Sequence, residues 1–175
     1  DTVMYSAGLD ACLNEVWALK SRRLKPTNVT MPANHLELIA ACLAMVLLVF
    51  AVGGAMLFAR VREMRRKRIH PQSVASSVTM AARLDNVQIA DNFRNLFETP
   101  VLFFALAAIA LATGYVPDWL VICSWVYFAL RLLHSLIHCT YNKVYHRLAV
   151  FLVSFGLLVG MWICFFAALL AKSTA

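Results

Sequence analysis

Arg131, His134 and His138 recur at spacings of three and four inside an otherwise apolar stretch, "YFALRLLHSLIHCTYNKVYHR". At 100° per residue, Ser124, Tyr127, Arg131, His134, Ser135, His138, Asn142 and Tyr145 fall within about 60° of one line. A second set stands upstream in "DNFRNLFETP", where Asp91, Arg94, Asn95 and Glu98 share a face. A stripe of this polarity cannot face lipid, because a charge at the centre of a membrane costs at least ~2.5–3.5 kcal/mol. It must face protein, water or a ligand. One use is interhelical glue, with Arg94 or Arg131 paired to Glu98 or Asp91. The other is a binding site, the default reading of ionisable residues within a membrane.

Three chemistries suit a His/Arg stripe. His134 and His138 could share a metal, but the other apolar runs offer no second histidine at that end, and His35 lies at the far end. Neither haem nor a metal is expected. No Ser or Cys sits beside an evident base and orienter, so nucleophilic catalysis by a side chain is disfavoured. The third chemistry needs no covalent step on the protein. A guanidinium matches a carboxylate, and a nearby Arg lowers the pKa of a bound thiol. An apolar partner could then arrive through the lipid.

The elements that must position these residues are membrane spans. The 175-residue chain is 62% hydrophobic and 14% charged, with mean hydropathy +0.72. Soluble domains are nearer half apolar and a quarter charged. Leu38–Ala59 and Leu148–Ala171 are long uncharged runs. Trp119–Cys139 is a third span, and Thr99–Thr113 a fourth if its helix extends back through Phe97 and Leu96. Pro100 then lies inside that helix. The expected fold is an all-α integral membrane four-helix bundle. "GYVPD" (Gly114–Asp118) is a tight turn. The basic run "RVREMRRKR" (Arg60–Arg68) reads as a cytoplasmic loop, with both termini on the opposite side. The whole chain's net charge of +7 speaks to topology and not to nucleic acid. The five cysteines show no metal spacing and read as packing residues.

Residues 1–30 read as a separate extension, either an amphipathic interfacial helix or a segment foreign to the native start, ahead of a four-span domain at 31–175. Asn28-Val-Thr30 matches a glycosylation acceptor.

From Met31 onward the chain resembles the MAPEG family, the membrane-associated proteins of eicosanoid and glutathione metabolism, and its bacterial branch most. The resemblance rests on the four-span layout, the basic segment after the first span, Asn95-Leu-Phe-Glu98-Thr-Pro100, and Arg131 followed by His134 and His138. The family's pattern has tyrosines at those two histidine positions, and often an arginine where Asp91 stands. The resemblance implies a homotrimer in the bilayer, with glutathione between subunits near the cytoplasmic face. It implies that Asn95, Glu98 and Arg131, with Arg94, His134 and His138 beside them, bind glutathione. It implies that Arg147 favours the thiolate. The function so implied is a glutathione-dependent transferase or peroxidase acting on apolar electrophiles at the bacterial inner membrane. The alternative is a non-catalytic accessory subunit of a larger membrane complex, its polar stripes serving as glue to other membrane subunits.

Overall fold

The computed structural model describes residues 31–74, 76–84 and 87–173. The extension at 1–30, with its expected amphipathic helix, Cys12 and the Asn28 acceptor, lies outside the described residues. Among the described residues, four helices are long and apolar enough to cross a membrane. In hydrocarbon every backbone group must be satisfied within its own segment, and an uninterrupted helix does this.

Helix α1 (Ala33–Lys67) supplies the first span. Its 35 residues extend about 52 Å at 1.5 Å each, well beyond a ~30 Å hydrocarbon core. The basic run expected as a loop is therefore the helix's own end. Arg65, Arg66 and Lys67 occupy its last turn, where cations complement the helix dipole. Arg68 closes it in the left-handed conformation, φ 52°. A 3-10 turn (Pro71–Val74) and helix α2 (Ser77–Arg83) follow. Ser76 and Thr79 form a reciprocal capping box at the start of α2. Lys67 Nζ donates to the Arg83 carbonyl at 3.1 Å, tying the end of α1 to the end of α2.

The second span is two helices, α3 (Val87–Glu98) and α4 (Pro100–Ala112). The proline expected inside one helix instead opens a new one. It has no N–H to return to the Leu96 carbonyl, so it takes the first position of α4. Thr99 between them keeps helical angles (φ −87°, ψ −35°), and the span continues from Gln88 to Ala112. Gly114 then turns the chain at φ +66°, where a Cβ would be strained. Helix α5 (Asp118–Cys139) and helix α6 (Val144–Ser173) complete the bundle.

Polar contacts sort the ends. Asn34 Nδ2 donates to Asp118 Oδ1 at 2.6 Å and to the Val116 carbonyl at 3.1 Å. The Lys172 ammonium lies 5.0 Å from the Tyr115 ring centre. So the start of α1, the α4–α5 turn and the end of α6 share one end. The basic tail of α1 and the Thr140–Lys143 link lie at the other. Inside, Leu38 and Met45 of α1 meet Phe103 and Leu106 of α4, Tyr127 of α5 and Met161 of α6. Phe50, Phe58, Ile122, Leu152 and Ile163 are exposed on the outside, as lipid-facing positions require.

Candidate functional site

Helix α5 carries the site. Six polar residues of the expected stripe, Ser124, Tyr127, Arg131, His134, Ser135 and His138, are buried on one side of it. Leu132, Leu133 and Leu136 on the other side are exposed. The stripe ends there, because α5 stops at Cys139. Asn142 turns the chain at φ 44°, and Tyr145 is 86% exposed on α6. The eight-residue stripe expected on one helix is thus six residues and a turn.

Arg131 is 0% exposed within the chain. Its Cζ lies 5.3 Å from the Tyr127 ring centre and 5.0 Å from that of Phe151 on α6. The guanidinium is sandwiched by aromatic faces, which attract it. Its Nε, Nη1 and Nη2 have no hydrogen-bond partner among the described residues. Glu98 and Asp91 were expected partners, but both are exposed, and neither Arg94 nor Arg131 forms an ion pair among the described residues. Thr99 and Arg131 are polar neighbours of the Tyr127 hydroxyl, yet neither makes a well-formed hydrogen bond with it. His134 Nδ1 and His138 Nδ1 are also buried and unpaired. Thr99, Tyr127, His134 and His138 thus line the same interior as the Arg131 cation, each with a buried polar atom that makes no well-formed hydrogen bond. A buried unmade hydrogen bond costs about 1–3 kcal/mol, more for a charged group.

Helix α3 meets α5 by a different face from the one expected. Asn92, Leu96, Thr99 and Phe103 are buried at helical spacing along α3 and α4. Asn92 Nδ2 donates to Cys139 Sγ at 3.3 Å, and Ser135 Oγ donates to Asn92 Oδ1 at 3.4 Å. Phe103 stacks on Tyr127 with centroids 5.1 Å apart. Asn95, expected to face Arg131, is only half-buried, and Arg94 and Glu98 are exposed. These three form an outward face on the chain's surface. Asn92 and Thr99 were the residues missed. Their spacing at 92, 96, 99 and 103 fits one helical face, but the stronger polarity of Asp91, Arg94 and Glu98 on the neighbouring face outweighs it in the sequence.

At the end of α5, Arg147 Nη1 lies 2.9 Å from His138 Nε2 and donates to Asn142 Oδ1 at 3.2 Å. Arg147 sits in the first turn of α6 and reaches back across the link. The His134 and His138 rings are 5.8 Å apart, and His134 lies 6.0 Å from Phe151. Among the described residues, no three His, Cys, Asp or Glu side chains gather as a metal site. Arg131, His134, His138 and Arg147 are therefore brought onto one wall, and Arg94, Asn95 and Glu98 onto another surface. The wall offers donors and a fixed positive charge, which suits an anion.

The model of the MAPEG family matches residues 38–167. No curated protein and no solved structure matches the chain.

Proposed function

The chain belongs to the MAPEG family, and from that premise we propose that it is a glutathione-dependent transferase or peroxidase acting on apolar electrophiles. The observation that carries this reading is Arg131, fully buried and unpaired between Tyr127 and Phe151. A carboxylate from a ligand gives the guanidinium the bidentate partner it lacks within the chain. Glutathione brings two carboxylates and a thiol. With a carboxylate held at Arg131, the thiol extends along the α5 stripe toward His138 and Arg147. Positive charge and donors there favour the thiolate. The thiolate then attacks the electrophilic atom of a lipid-borne substrate, forming the new bond to sulfur. In conjugation the leaving group departs as the carbon–sulfur bond forms; in peroxide reduction the thiolate breaks the O–O bond to give the alcohol and glutathione sulfenic acid, which a second glutathione converts to the disulfide and water.

On this reading Arg94, Asn95 and Glu98 meet the ligand where a second copy closes over the outward face of α3, as in a homotrimer. The basic end of α1 faces the cytoplasm of a bacterial inner membrane. The reading of the chain as an accessory subunit draws no support from the family match.

The test is glutathione binding and turnover by the full chain purified in mild detergent. Saturable binding with conjugation or peroxide reduction supports the proposal. No binding at millimolar glutathione ends it.

A further inference from the structure

Arg147 was expected to act on the thiolate directly. Its geometry assigns it a different partner. A guanidinium has five donors and no acceptor. The 2.9 Å contact between Arg147 Nη1 and His138 Nε2 is therefore a hydrogen bond only if Nε2 carries no proton. A histidine with a bare Nε2 is neutral and carries its proton on Nδ1. Nδ1 of His138 is buried and makes no well-formed hydrogen bond among the described residues, although the backbone of Gln88 and of His138 itself lies near the imidazole. The His138 side chain is 1% exposed, and Arg147 is held by a second bond to Asn142.

We propose that Arg147 locks His138 in the neutral Nδ1–H tautomer, and that this N–H, on the same wall as Arg131, donates a hydrogen bond to the glutathione sulfur anion. The proposal rests on the glutathione reading above. Arg147 is then a positioning residue, acting through the imidazole. His138 is the donor. It lies seven residues from Arg131, about 10 Å along the helix, so one wall offers a carboxylate anchor and a sulfur donor two turns apart. An N–H donor suits a sulfur anion, because hydrogen bonding to the charged form favours it. Asp91 lies within electrostatic range of the same imidazole, and Arg147 counters its charge there.

Two measurements on the full chain in detergent test this. The first is the nitrogen-15 spectrum of histidine-labelled protein, with His138 assigned by the signal that His138→Gln removes. The Nδ1–H tautomer is expected in the wild type, and a tautomer mixture in Arg147→Met. An Nε2–H tautomer in the wild type overturns the lock. The second is thiolate absorbance of bound glutathione. His138→Gln keeps an acceptor near Arg147 but loses the Nδ1 donor. His138→Asn keeps a donor near the Nδ1 position. The proposal expects the thiolate fraction to fall about 10- to 100-fold in His138→Gln while glutathione still binds, with partial rescue in His138→Asn. An unchanged thiolate in His138→Gln overturns the donor role. If wild-type protein binds no glutathione, the functional reading and the donor's target fall together, and the tautomer spectrum still decides the lock.

Discussion

Leaving Arg131 buried and unpaired costs the unliganded protein several kcal/mol, and its aromatic sandwich returns about 2 kcal/mol. A structural arginine would be expected to find a carboxylate, and Arg131 finds none among the described residues. Arg131→Met should therefore separate the two roles by sign. Replacing a buried charge by an apolar side chain of similar volume is neutral or stabilising, by about 1–4 kcal/mol. Thermal unfolding of the ligand-free variant in detergent should show an unchanged or raised midpoint, while glutathione affinity falls at least ~10-fold. A lowered midpoint with intact affinity would make Arg131 structural. At this scale the α5 wall was legible in the sequence, since spacings of three and four stand out against leucines. The α3 wall was not. At a membrane boundary a polar face can turn toward headgroups as readily as toward protein. The polarity of Asp91, Arg94 and Glu98 therefore could not reveal that Asn92 and Thr99 point inward.

Element packing sets how firmly the two walls are held together. Helix α1 approaches α3 at Gly53, where an added Cβ would stand 2.8 Å from the Phe93 ring. Gly54 beside it has no such neighbour within 4 Å. Gly53→Ala should destabilise the bundle by about 1–3 kcal/mol as Phe93 is pushed aside. Gly54→Ala should be neutral or stabilise by up to ~1 kcal/mol through helix propensity. Detergent unfolding of the pair checks this, and equal effects would contradict the close approach. The helices themselves were readable from runs of apolar residues. Their ends were less so. A run of arginines in "RVREMRRKR" looks like a loop by charge, yet each is a good helix former, and α1 continues to Lys67. Pro100 marked a boundary that an apolar run alone concealed.

The described residues form a four-helix membrane bundle whose basic end and turn end are opposite. Positive charge retained on the cytoplasmic side predicts the orientation. In a background without native cysteines, Arg66→Cys should react with an impermeant thiol reagent only after the membrane is opened. Thr113→Cys, at the far end, should react in intact cells. The reverse pattern would invert the topology and place the Arg131 wall at the other face.

The central claim is that the Arg131 wall binds glutathione. Calorimetric titration of glutathione into the purified full chain tests it most directly, with Arg131→Met alongside. Saturable binding in the wild type, weakened at least ~10-fold in the variant, is the predicted result. No binding in the wild type, or equal affinity in both proteins, would contradict it.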